Sequence, residues 1–194
     1  MAVARKISIV ISGWPAVGKT TIAGTLAEEF GLSMYNGGDI LKMLAAEMGY
    51  STKREDWWDT TEAKKFMQDR KTDPSFDKKV DKKLAKIVKK GGAVITSYTL
   101  PWLVKEDSVI KLWLRGSPEN RAMRLANRDN IGFSAAKRII ALRDEENKKI
   151  YYKLYGFRFG EDLGVFDYVL NTDRLPLASL VEISKLIVKQ HIGV

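Results

Sequence analysis

The chain has 194 residues, 45% of them hydrophobic and 29% charged, with no cysteine and a single histidine, His191. Disulfides and thiolate metal centres are thereby excluded, a cytoplasmic setting is expected, a histidine metal site lacks a second ligand, and a Ser–His–Asp hydrolase lacks a suitably placed base. The formal net charge is +9, and residues 115–158 carry eleven Lys and Arg against five Asp and Glu, which points to an anionic partner met by helical surface rather than by a basic tail.

No apolar run approaches the ~20 residues needed to cross a bilayer, and Ile7–Ile11 is too short for a signal-peptide core. Strand-like apolar runs alternate with helical patterns, which predicts an α/β fold with a mostly parallel sheet in three layers. Ile7–Ser12 reads as a buried first strand, and Lys19–Phe30 as a helix stopped by Gly31. Ser33–Asn36 is a second strand and Asp39–Met48 a helix, with Asp39 as its candidate N-cap. Residues 51–72 are polar and partly helical, with Trp57, Trp58, Phe66 and Met67 embedded. Asp73-Pro74 opens a helix whose apolar stripe is Phe76, Val80, Leu84, Ile87 and Val88, and Gly91-Gly92 ends it. Ala93–Thr96 and Val109–Leu114 are the third and fourth strands. Ser117-Pro118 starts a helix running to about Asn127, and Ser134–Tyr155 is a second long helix or helix pair. Phe166–Asn171 is the fifth strand and Pro176–Lys189 the last helix.

The strongest chemical signal is Gly13-Trp14-Pro15-Ala16-Val17-Gly18-Lys19-Thr20, a complete G-x-x-x-x-G-K-[ST] phosphate loop between a strand and a helix. The glycines permit dihedrals that turn backbone N–H groups onto phosphates, and the helix that follows aims its positive end there. Lys19 is expected to reach the β and γ oxygens of ATP, with the Thr20 hydroxyl on Mg²⁺ and Thr21 beside it. Trp14 has two readings, a shield over the site or a side chain packed on its rim.

Beyond the loop, Gly38-Asp39-Ile40-Leu41-Lys42 resembles the G-D-x-x-R segment of nucleoside monophosphate kinases, with Lys42 in place of the arginine that grips the acceptor phosphate. Asp73 to Asp81 resembles the D-P-x-I-D-x-x-I-D stretch of archaeal-type cytidylate kinases, which implies that Asp77 and Asp81 hold the acceptor nucleoside. Pairing with the lysines at 78, 79, 82, 83 and 86 is the alternative. Arg121, Arg124 and Arg128 lie at helical spacing and Arg143 follows beside Asp144. The resemblance implies a lid in which Arg128 and Arg143 stabilise the transferring group, whereas for Arg121 and Arg124 a surface role stands equally. Arg143 to Gly156 resembles R-E-x-S-x-x-x-R-Y-x-x-x-Y-G, and Phe166–Thr172 resembles Y-D-L-V-I-N-T, whose polar end is expected near adenine.

The third strand departs from the pattern. Where that family has E-G-R, this chain has Thr96, Ser97 and Tyr98; Ile150 replaces a lid arginine and Arg158 an aspartate. Tyr98 then offers stacking or a hydrogen bond on the acceptor side, but no charge. The resemblance implies one P-loop kinase domain over 1–194, with a core of 1–36, 91–120 and 160–194, an acceptor-binding insertion of about 37–90 and a lid of about 121–159. The expected activity is Mg²⁺- and ATP-dependent phosphorylation of CMP or dCMP by a monomer without membrane or nucleic-acid partners. The alternatives are a kinase with another small acceptor, or a weakly hydrolysing nucleotide switch that contacts RNA through the basic face.

Overall fold

The computed structural model describes residues 7–53, 57, 61–73 and 75–193. Five parallel strands, β1 (Ser8–Gly13), β2 (Ser33–Asn36), β3 (Ala93–Thr96), β4 (Val109–Arg115) and β5 (Tyr168–Asn171), form one sheet in the order β2-β3-β1-β4-β5. β1 is central because it is apolar on both faces and buried throughout. Its register pairs Ile11 with Thr96 on one side and with Leu112 on the other.

Alternation along the strands assigns the two helical layers. Ile9, Ile11 and Val94 face α1 (Lys19–Phe30) and the C-terminal helix α8 (Leu177–Ile192). Val10 and Ile95 face α2 (Gly37–Glu47) and α4 (Ser75–Lys90). The short α3 (Thr61–Thr72) adds Phe66, fully buried against Trp57 and Phe76. The expected three-layer α/β/α architecture is therefore the one observed.

The remaining helices are α5 (Leu100–Leu103), α6 (Pro118–Asp129) and α7 (Phe133–Tyr155), and the α6–α7 pair makes a small core of its own around Leu125, Ala136 and Ile140. Local chemistry moves some boundaries. Asn36, not Asp39, caps α2: its side-chain oxygen accepts from the Asp39 N–H at 2.9 Å and its amide donates to the Asp39 carboxylate at 2.5 Å. Asp73 fastens the start of α4 through the Ser75 N–H and hydroxyl, which hold its carboxyl below the usual range; Pro74 and Trp58 lie outside the described residues. The fifth strand starts only at Tyr168 because Phe166 is drawn into an aromatic cluster with Trp102 and Trp113, and as an edge strand β5 is half exposed rather than buried.

Candidate active site

The loop after β1 has the geometry its glycines predict. Gly13 has φ 145°, and a Cβ there would stand 2.2 Å from the Leu114 carbonyl oxygen, so the close approach of β4 alone demands glycine. Gly18, at φ 92°, caps α1. Ala16 also takes a left-handed φ of 61°, a conformation that costs an alanine about 1–2 kcal/mol. Pro15 and Val17 are buried, while Thr20 and Thr21 are exposed at the α1 N-terminus.

Lys19 folds back over this loop. Its Nζ donates to the Gly13 and Trp14 carbonyls at 2.8 Å each and lies 4.7 Å above the Tyr98 ring. Burial of the ammonium, with Arg121 nearby, pulls its pKa down to about 7, against the partial compensation of Asp144.

Arg121 is a buttress of the loop. It is 2% exposed and donates to both Asp144 oxygens, at 2.9 and 2.6 Å, as well as to the Gly116 and Pro15 carbonyls. α6, α7 and the phosphate loop are thus joined through one guanidinium fork. Arg124 reaches the Thr172 hydroxyl at 2.8 Å and its carbonyl at 2.6 Å, fixing the polar end of β5. Arg128 is exposed and pairs with the adjacent Asp129 at 2.7 Å. Only Arg143, of these four, lines the central cavity.

That cavity measures about 520 Å³. Pro15, Lys19 and Thr20 form one end; Asn36, Gly37, Gly38 and Leu41 come from the start of α2; Asp77, Val80, Asp81 and Leu84 come from one face of α4. The loop Thr96–Thr99 and the α7 residues Arg143, Glu146, Asn147 and Tyr151 complete it. The structure thus brings Asp77, Asp81 and Tyr98 together with the phosphate loop, while Asp39 and Lys42 are not among the lining residues. Asp81 is bonded to Thr99 and Tyr155 at 2.5 Å each. Tyr98 is taken up by the protein itself: it stacks on Tyr151 at 6.0 Å and meets Phe159 edge-on at 5.7 Å, and burial pushes its phenol up.

Trp14 settles on the rim. Its ring meets Phe159 at 4.9 Å and Trp113 at 6.1 Å, with the Arg121 guanidinium 5.5 Å above it. Gly160 makes this possible, since a Cβ there would lie 2.0 Å from the Trp14 ring. Trp14, Gly160, Phe159 and Asp144 together support the loop, a role that sequence reasoning missed apart from Trp14; the alternating pair Phe157 and Phe159 followed by glycine was its signal.

A magnesium ion fits the donors present. Among the described residues no group of three or more acidic, His or Cys side chains could hold a metal by itself. The exposed Thr20 hydroxyl at the cavity wall suits a hard cation bound mainly by nucleotide oxygens and water. The end of β3 offers only the neutral hydroxyls of Thr96 and Ser97.

A parallel sheet centred on a phosphate loop, with one cavity running from that loop to α4, defines a P-loop phosphotransferase. The family model of the cytidylate kinase-like family matches residues 8–174. The chain is 35% identical over 178 residues to a cytidylate kinase of Pyrobaculum aerophilum, covering 92% of this chain and 90% of that one. It is 36% identical over 182 residues to a cytidylate kinase of Sulfurisphaera tokodaii, covering 92% of both. This protein belongs to the cytidylate kinase-like family, and it is a kinase. In fold it is similar to an uncharacterized protein from Eubacterium ventriosum (TM-score 0.63, 17% identity, covering 97% of this chain and 99% of that one). It is also similar in fold to shikimate kinase from Acinetobacter baumannii in complex with shikimate (TM-score 0.57, 15% identity, covering 99% and 96%). Among the described residues no helix is long and apolar enough to cross a membrane.

Proposed function

We propose that the protein transfers the γ-phosphate of Mg·ATP to CMP, and to dCMP as a second acceptor. The observation that carries this reading is the single cavity that joins Lys19 and Thr20 at one end to Asp77 and Asp81 on α4 at the other, so that two substrates would meet without leaving it. The curated relatives are cytidylate kinases, which favours CMP as the acceptor.

The chemistry requires placement and charge compensation rather than a covalent intermediate. The loop N–H groups and the α1 N-terminus hold the phosphates. Lys19 leaves its two carbonyls for the β and γ oxygens, and Arg143 approaches from α7. Arg128 joins them by exchanging Asp129 for phosphate oxygens as α6 and α7 close over the nucleotide. Magnesium, when bound at Thr20 with the nucleotide, neutralises charge on the phosphate oxygens. Asp77 and Asp81 suit the exocyclic amino group of cytosine as hydrogen-bond acceptors.

ADP formation from Mg·ATP with CMP, dCMP, UMP, AMP, GMP or no acceptor tests this. Selective stimulation by CMP and dCMP is expected; stimulation by a purine nucleotide, or none above the acceptor-free rate, would overturn it. One observation favours a second reading, a different small acceptor. The acceptor end is walled by Asp77, Asp81, Ser97 and Thr99, with Arg143 its one cation apart from Lys19 among the described lining residues. That wall suits a hydroxylated acceptor better than a second phosphate, and stimulation by a polyol instead of any nucleotide would select it.

A further inference from the structure

The Asp81 carboxylate is held from two sides. It is 6% exposed, on the cavity face of α4. Thr99 donates its hydroxyl to one oxygen at 2.5 Å and Tyr155 donates its phenol to the other at 2.5 Å. Hydrogen bonds from hydroxyls to an ionised carboxylate are short and strong, and strongest where water is excluded. Both donors are themselves fixed. The Thr99 N–H donates to the Ser97 hydroxyl at 3.3 Å, and Thr99 is 4% exposed. Tyr155 is the last residue of α7, closed by Gly156 at φ 78°, and its ring lies parallel to Phe157 at 6.1 Å.

Three elements therefore meet on one carboxylate: acceptor helix α4, the turn after β3, and the C-terminal end of α7. The same α7 carries Arg143, Asn147 and Tyr151 to the cavity. A tilt of α7 would pull on Asp81, and a ligand pressed against α4 would pull on α7.

We propose that Tyr155 is a positioning residue for the acceptor: its hydroxyl sets the Asp81 carboxylate in the cavity wall and couples occupation of the acceptor end to the placement of Arg143 on the same helix. This rests on the reading of the acceptor as a nucleoside monophosphate.

Tyr155→Phe removes one oxygen and keeps the ring stack. The dissociation constant of the non-hydrolysable analogue AMP-PNP is measured with and without saturating CMP, and that of CMP with and without AMP-PNP. In the unaltered protein each ligand is expected to tighten the other, and linkage requires the two factors to be equal. Tyr155→Phe is expected to bind AMP-PNP alone as before, to bind CMP about tenfold more weakly, and to lose the mutual tightening. Asp81→Asn should show the same loss, with nothing further lost when Tyr155→Phe is added, whereas a merely structural tyrosine would lower the melting temperature and leave the tightening intact. Unchanged CMP affinity and tightening in Tyr155→Phe overturn the proposal. If Tyr155→Phe melts below the assay temperature, Asp81→Asn, which weakens the acceptor of the Tyr155 hydroxyl, is read by the same outcomes. If the unaltered protein binds AMP-PNP but shows no response to CMP, the nucleoside monophosphate reading falls and the proposal with it.

Discussion

At the residue scale, the state of Lys19 gives the site a defined pH response. Its pKa of about 7 in the free protein lies far below the ordinary 10.5 because the ammonium is desolvated beside Arg121. Triphosphate oxygens would restore the charge, so nucleotide binding above pH 7 must take up a proton. Affinity for ATP is then flat below about pH 7 and falls by at most about tenfold per pH unit above it. Calorimetry in buffers of different ionisation enthalpy should show uptake approaching one proton near pH 8. The same depressed pKa opposes folding below pH 7 and ceases to do so as pH rises towards 10.5, so the contribution of Lys19 to stability grows across that window. Lys19→Ala should abolish the rise in melting temperature that ATP gives. Tyr98 stands where the family pattern has an arginine, and its surroundings decide what a substitution there does. As the replacement for a lost arginine it invites Tyr98→Arg as a gain of CMP activity. In the structure its ring lies under Lys19, packs on Tyr151 and Phe159, and feels Arg143, Arg128 and Arg121. A fourth guanidinium there would lose the stack and repel its neighbours, so Tyr98→Arg should lower both activity and melting temperature, while Tyr98→Phe should leave the melting temperature within a few degrees.

At the scale of elements, the phosphate loop is only as well placed as the supports behind it. Arg121 joins α6, α7 and the Pro15 carbonyl, and is nearly inaccessible to solvent. Asp144→Asn would leave that guanidinium without its counter-charge and should cost roughly 3–5 kcal/mol. For a chain of this length this lowers the melting temperature by roughly 6–20 °C. Arg121→Lys should do much the same, since an ammonium cannot reproduce the bidentate fork. Gly160→Ala is expected to displace Trp14 from its pocket and to weaken nucleotide binding, because the added methyl would overlap the ring at 2.0 Å and the backbone there has φ 84°. These supports explain what the sequence showed and what it hid. The loop Gly13–Thr20 is contiguous, so its chemistry was visible at once. The strands were equally visible, because β1 and β3 are buried on both faces and β4 nearly so. Arg121 and Asp144 lie 23 residues apart, and Asp81 and Tyr155 lie 74 apart. No periodicity links such pairs; only the packing of α7 across the sheet end does. For the same reason the cationic stripe Arg121–Arg124–Arg128 was legible as a stripe, but not as three arginines with three different partners.

At the scale of the whole molecule, a phosphate-loop end and an α4 end share one cavity. The phosphate loop, the buried Arg121 behind it and the Thr20 hydroxyl belong to the first; the uncharged end of β3 and the carboxylates of α4 belong to the second. Membership of the cytidylate kinase-like family makes transfer, not hydrolysis, the expected outcome of ATP binding. The most direct test is a single turnover with ATP labelled in the γ-phosphate, enzyme in excess, and CMP present. The label should appear in the β-phosphate of CDP, with little released as inorganic phosphate. Label released as inorganic phosphate at a rate that CMP does not change would contradict the account and leave a nucleotide-hydrolysing protein in its place.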